Sequence, residues 1–385
     1  MKIISLLREI KESFKKYNPN QNLLRLEIDS NQLKNNIHFL KSHFQIPYLA
    51  AVLKSNAYGH GLKEIGQLLD KNENISHLVV DSIMEAKILR NLNIKKPIII
   101  VGYVPKSILK DLKKLNVTLV VNSLTQALDL KNQIDFPLKV HIKIDTGLHR
   151  HGVFLEELKE TIDILKANRH LKIEGLMSHL AAPSNQKDLS LNQFKNWEEG
   201  LRIYKEKITD FKNHYFHLLA TAGINYFNKI ENNLARIGVG IYGFDSTSEK
   251  NLKIKPILSF WAKVVNIKNI KKGEGVGYGF SWIAEKETKI ATIACGYYEG
   301  VPRYLSNRGC FYYGDQILPI VGRVSMNLSN VDISNALNLK IEDEIEVFSV
   351  DLNKLNSITK VAELGNTIPY EVLVHLSPQI RRIIK

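Results

Sequence analysis

Cysteine is scarce: of 385 residues only Cys295 and Cys310 carry a thiol. Two cysteines build no disulfide framework, and their spacing is not that of a metal site, which points to a reducing compartment. Long apolar runs are missing too. The N-terminus, MKIISLLREIKESFKKY, has a short apolar stretch from Ile3 to Leu7. Arg8, Glu9 and Lys11 break it before it reaches signal-peptide length. No other run approaches the roughly 20 apolar residues that cross a bilayer. There is no internal repeat, no low-complexity linker and no GxGxxG after the first candidate strand, which argues against a doubly wound dinucleotide fold. The expectation is a cytoplasmic, globular protein without a membrane partner.

Positive charge, by contrast, is plentiful, with a net +14. A balance of that size admits a nucleic-acid partner. The lysines, however, are scattered through helical segments as KxxK and KK pairs and form no stripe. None of the recognisable nucleic-acid modules is present, so no nucleic-acid partner is expected. The length suits two domains. A hydrophobic content of 44% with 24% charged residues suits a core of ordinary size.

The pattern divides the chain. Residues 1–22 read as an amphipathic extension ending near Asn18-Pro19-Asn20. Residues 23–250 alternate apolar, β-branched runs with amphipathic helices. The strand candidates are YLAAVLK (48–54), HLVVDS (77–82), PIIIVGY (97–103), VTLVVN (117–122), KVHIKID (139–145), IEGLMSH (173–179), YFHLLA (215–220) and ARIGVGI (235–241). Near-continuous apolar strands between helices indicate a parallel sheet covered by helices, and eight such units fit a closed (β/α)8 barrel. Residues 251–385 are β-rich without long intervening helices, as in a mostly antiparallel β domain.

The polar residues collect at one end of this barrel. Lys54 closes the first strand, in AVLKSNAYGHG. Asp145 and Arg150 follow the fifth strand, and His179 ends the sixth. Thr221 follows the seventh, and Arg236 lies in the eighth among glycines. Singly, each has an ordinary explanation. A strand-end lysine snorkels to solvent, a strand-end histidine is a satisfied structural group, and glycine pairs occur wherever strands pack closely. Together they stand at the carboxyl ends of strands, where barrels carry their chemistry. An amine at strand one and backbone N–H groups after strands seven and eight suit pyridoxal phosphate spanning the barrel mouth.

From about residue 24 onward the chain resembles the alanine racemase family, on AVLKSNAYGHG, KIDTGLHRHGV, ARIGVGIYGF, GEGVGYG, CGYYEGVPRYLSN, IVGRVSMN and TIPYEVL. The resemblance implies a homodimeric isomerase that interconverts L- and D-alanine with pyridoxal 5'-phosphate and supplies D-alanine for peptidoglycan. In such an enzyme the C-terminal β domain contributes to the partner's active site. Lys54 would attach the cofactor and act as one catalytic base. Tyr278 would be the opposite-face base, donated by the other subunit. Arg236 would hydrogen-bond the pyridine nitrogen, and His179 would position Arg236 and the ring. Tyr58, Thr221, Gly238, Val239 and Tyr370 would hold the phosphate. Arg150 and the Met326 backbone N–H would bind the substrate carboxylate, and Tyr297 would line the entrance. Lys143 matches a lysine that is carbamylated in some members. No metal is implied. Leu148 and His149 precede Arg150. Asn327 stands where aspartate is usual, and Tyr298-Glu299 where Ala-Asp is common. The rival readings are a broad-specificity or serine-preferring racemase and, more remotely, a noncatalytic pyridoxal-phosphate-binding protein.

Overall fold

The computed structural model describes residues 23–183, 187–336 and 338–385. The N-terminal extension read from residues 1–22 lies outside the described residues. The chain forms two compact units. One comprises Asp29–Ile257 with Ile384–Lys385, and the other joins Leu24–Ile28 to Leu258–Ile383.

The first unit is a parallel barrel. Its strands are Tyr48–Val52, His77–Val80, Ile98–Ile100, Val117–Val121, Leu138–Lys143, Leu171–Met177, Tyr215–His217 and Leu234–Ile237. They pair in chain order, and the eighth pairs back onto the first. A bridge between Ala220 and Arg236 closes the ring, with Arg236 N donating to Leu219 O at 3.0 Å. The strands are buried on both faces, which is why the sequence shows apolar runs rather than alternation. Ala50, Val52, Val79, Ile99, Val120, Met177 and Leu234 pack into one cluster. The strands Leu138–Lys143 and Tyr215–His217 add no aliphatic residue to it; they bury His141 and His217 instead.

The covering helices start where local chemistry says they should. Ser82 and Glu85 form a reciprocal capping box for Ile83–Asn91, and Ser123 caps Leu124–Gln133. The segment SILKDLKKL, read as an amphipathic helix, takes 3-10 turns over Lys106–Lys114. Its buried residues Leu109, Leu112 and Leu115 recur every three positions, the spacing that a 3-10 helix aligns on one face.

The second unit is a mostly antiparallel sheet. Gln316–Pro319, Cys310–Tyr313, Glu344–Phe348, Leu258–Ile270, Leu24–Ile28 and Arg382–Ile384 lie side by side in that order. Thr288–Ile293 also pairs with Leu258–Ile270, and Ser329–Asp332 pairs with Thr288–Ile293. Register shifts near Phe260 and Val264 let the 13-residue strand bend between these partners. One expectation is corrected. Leu24–Ile28, assigned to the 23–250 barrel, pairs antiparallel with Leu258–Ile270 in the β unit. Its sequence LRLEI alternates apolar and charged residues, as a strand with one buried face does. The division between units likewise falls after Ile257, not after residue 250.

Candidate active site

The chain leaves the first barrel strand through a turn of the wrong hand. Ser55, Asn56, Ala57 and Tyr58 have φ of 56°, 55°, 53° and 52°. Each carries a Cβ, so each costs about 1–2 kcal/mol there. Neighbouring groups hold the turn. Glu85 Oε1 accepts from Ser55 N at 2.7 Å, and Asn56 Oδ1 accepts from Leu62 N at 2.8 Å. Ala57 N donates to Leu53 O at 2.8 Å. The left-handed turn leaves Lys54 half-buried at the strand end and returns the Tyr58 ring toward the eighth strand, against Tyr242. A Cβ added to Gly238 would lie 2.5 Å from the Tyr58 hydroxyl oxygen, so the two approach only because residue 238 is glycine.

Cations dominate this end of the barrel. Lys143 is 6% exposed. Burial lowers its pKa to about 8, with Arg236 and Arg150 adding to the effect, Asp145 opposing it and Lys54 contributing least. Burial, then Arg236, Arg150, Lys143 and Lys54, hold the His179 imidazole neutral with a pKa of about 3. Asp145 is the acid among them. Burial works against its carboxylate, yet the backbone N–H groups of Gly147, His149 and Leu148 and the His149 ring hold its pKa below the ordinary value. Asp145 Oδ1 accepts from those N–H groups at 2.9, 3.1 and 3.0 Å, which orders the loop that carries Arg150. Arg150 itself is exposed and donates to no protein group among the described residues.

Arg236 is 4% exposed. Nη2 donates to Ser178 O at 2.7 Å, Leu218 O at 3.1 Å and His179 Nδ1 at 3.2 Å. Nη1 donates to the His217 carbonyl and, at 3.0 Å, to His217 Nδ1. Burial brings its pKa down to about 9, so the group remains a cationic donor at neutral pH. Among the described residues every side-chain hydrogen bond of Arg236 leaves from Nη1 or Nη2. Nε–H is the donor that remains.

The loops after strands seven and eight supply further donors. The backbone N–H groups of Gly238 and Val239 find no acceptor among the described residues, although the following turn closes on itself through Ile241 N to Gly238 O at 3.1 Å. Thr221 Oγ1 accepts from Gly240 N at 3.2 Å, tying the two loops together beside Tyr58. Backbone donors in this position make an anion cradle.

The remaining predicted residues lie in the β unit. Tyr278 is 73% exposed at the tip of a hairpin made by Gly275–Val276 and Trp282–Ile283. Met326 is 55% and Tyr297 45% exposed. Tyr297 N donates to Ser325 O at 3.0 Å and Tyr298 N to Met326 O at 2.9 Å, so backbone hydrogen bonds join the two loops. Glu299 links them again: its carboxylate accepts from Gly296 N and from Asn327 Nδ2, each at 2.8 Å. Tyr370 lies in the helix Pro369–Val374. The sequence reading missed His141, His217 and the bridging role of Glu299. No signal in the sequence marks the two histidines as facing the barrel interior.

Comparison with known proteins gives one answer for both units. Residues 28–246 match the family description "Alanine racemase, N-terminal domain" and residues 257–384 "Alanine racemase, C-terminal domain". The alanine racemase of Helicobacter acinonychis is 36% identical over 378 residues, covering 93% of this chain and 98% of its own. The chain belongs to the alanine racemase family. The Aquifex aeolicus alanine racemase is 30% identical over 361 residues, covering 93% of this chain and 98% of its own. The crystal structure of the Bacillus anthracis alanine racemase with bound L-Ala-P superposes with a TM-score of 0.87 at 28% identity, covering 96% of each chain. As an alanine racemase the chain is a pyridoxal-phosphate-dependent isomerase that interconverts L- and D-alanine. The broad-specificity and noncatalytic readings are not favoured. No helix among the described residues is long and apolar enough to cross a membrane.

The barrel mouth fits that cofactor. Lys54, Lys143, Arg150 and Arg236 face one carboxylate, Asp145, an imbalance that a phosphate dianion relieves. The open N–H groups of Gly238 and Val239 suit phosphate, and Arg236 Nε–H suits a ring nitrogen.

Proposed function

We propose that this alanine racemase works with two bases, one from each of two subunits of a homodimer, in the cytoplasm, and that its D-alanine supplies peptidoglycan synthesis. The observation that carries the reading is the pairing of chemistries. A half-buried amine, Lys54, stands among cations beside an anion cradle, and a phenol, Tyr278, is held out on a hairpin.

Bound pyridoxal phosphate supplies an electron sink that acidifies the substrate α-hydrogen. Lys54 anchors the cofactor, and its Nζ takes or returns the proton on one face. The Tyr278 hydroxyl of a second copy serves the opposite face, so a proton lost from one side is replaced from the other. Gly238 and Val239 N–H, the Thr221 hydroxyl, Tyr58 and Tyr370 bind phosphate. Arg236 donates from Nε to the ring nitrogen, and His179 steadies its Nη2. A guanidinium donates a hydrogen bond but does not hand over its proton readily, which limits how far charge collects on the ring. Arg150 and the Met326 N–H bind the substrate carboxylate, and Tyr297 narrows the entrance. Lys143, with a pKa of about 8, has an amine neutral enough to add carbon dioxide, losing a proton and becoming a carbamate anion beside Arg150.

Lys54→Ala is expected to abolish both the visible absorption of lysine-bound cofactor and racemisation. Tyr278→Phe is expected to slow the two directions unequally. Retention of band and activity in the first variant, or equal full rates both ways in the second, overturns the scheme.

A further inference from the structure

We propose that His141, in the barrel interior, sets the tautomer of His217 and thereby holds Arg236 in place, making it a positioning residue separated from the cofactor by two side chains. The effect on the cofactor rests on the assignment of Arg236 to the ring nitrogen; the effect on His217 does not.

The direction of each hydrogen bond follows from the first. A guanidinium only donates. His217 Nδ1, 3.0 Å from Arg236 Nη1, therefore accepts and carries no hydrogen. Burial keeps the His217 pKa well below its ordinary value, so the ring is neutral and its one proton is on Nε2. Nε2 lies 2.8 Å from His141 Nδ1 and donates to it. His141, also neutral because it is buried, then carries its own proton on Nε2. Arg236, His217 and His141 form a row in which every proton points away from the guanidinium.

The row is held laterally. A Cβ on Gly175 would lie 2.9 Å from His141 Cδ2, so the His141 ring rests directly on bare backbone of the neighbouring strand. Across that glycine lies the Tyr215 ring, 5.8 Å away between centroids. His141 and His217 are 1% and 0% exposed, so water does not replace a lost partner easily. Without the His141 acceptor, the His217 Nε2–H is left unpaired in a dry core. The competing tautomer removes that cost by moving the proton to Nδ1, where it meets the Nη1–H of Arg236 donor against donor. Arg236 must then turn, taking Nε with it.

The test uses the full-length, cofactor-loaded protein labelled with 15N in its histidine rings, with the His217 signals assigned by their loss in His217→Asn. In the native chain, Nε2 is expected protonated and Nδ1 bare. In His141→Leu, the loss of a buried acceptor is expected to shift the tautomer ratio about 5- to 150-fold toward Nδ1–H. The absorption maximum of bound cofactor moves and kcat falls, with KM for alanine nearly unchanged. His141→Asn places an amide oxygen where Nδ1 was, and restores the native tautomer and spectrum; it also serves if the leucine variant does not fold. Nδ1–H in the native chain, or a His217 tautomer indifferent to both substitutions, overturns the proposal. A tautomer that shifts while the cofactor spectrum stays fixed supports the role of His141 and overturns the placement of Arg236 at the ring nitrogen.

Discussion

Lys143 has Arg236, Arg150 and Lys54 as charged neighbours and only Asp145 to offset them. Its pKa falls from 10.5 to about 8 in the fold, so between those values the unfolded chain holds a proton that the folded chain has released. Stability from this group therefore rises with pH across that window, and the full penalty is present below about 8. In carbon dioxide-free buffer, the stability of the cofactor-free native chain relative to Lys143→Met should improve from pH 7 to 10. A difference flat with pH removes the burial argument. Asn327 makes a second case at this scale. Its amide donates to the buried Glu299 carboxylate, and that bond pins the loop carrying Met326 N–H. Asn327→Asp sets two carboxylates face to face, and such a pair keeps both charges only with difficulty. KM for alanine is expected to rise about tenfold, the cost of losing a hydrogen bond to a charged group that holds this loop. An unchanged KM contradicts this.

Among the elements, the left-handed turn after the first strand and the glycine loop after the eighth make one contact that neither shows alone. Gly238→Ala drives a Cβ to 2.5 Å from the Tyr58 hydroxyl, and Tyr58 ends a strained turn held by Glu85 and Asn56, with little room to retreat. Overpacking of this kind costs about 1–3 kcal/mol, so cofactor affinity is expected to fall roughly ten- to hundredfold. In a Tyr58→Ala background the same substitution should cost almost nothing further, as a double-mutant cycle would record; additive losses argue against the contact. This pairing also marks the limit of what the sequence discloses. The eight strands were readable because burial on both faces leaves apolar runs, and the polar groups were readable because they end those runs. The turn was not, since Ser55, Asn56 and Ala57 carry no glycine to announce positive φ. His141 and His217 were hidden because a histidine inside a strand reads the same whether it faces a helix or the barrel interior. Leu24–Ile28 did carry a signal, its alternation, which marks it as a one-face strand of the β unit.

At the scale of the molecule, the candidate groups divide between the units: Lys54, Arg150 and Arg236 belong to the barrel, and Tyr278, Tyr297 and Met326 to the β unit. Tyr278 and Phe280 are 73% and 68% exposed on one short turn, and an aromatic pair so presented suits insertion into a second copy. In a twofold dimer each active site would take Lys54 from one chain and Tyr278 from the other. That arrangement has an arithmetic consequence. A Lys54→Ala chain keeps its phenol, and a Tyr278→Phe chain keeps its amine. Mixed and allowed to exchange, equal amounts form heterodimers in half the population, each with one site intact in both groups and one lacking both. Activity should recover to about a quarter of native, far above either variant alone, since the two surfaces of an isologous contact are interchangeable between copies. If both groups of a site came from the same chain, no mixture would contain an intact site, and the activity after exchange would be the mean of the two defective enzymes. The measurement is the racemisation rate before and after subunit exchange, with heterodimers counted by distinct affinity tags on the two variants.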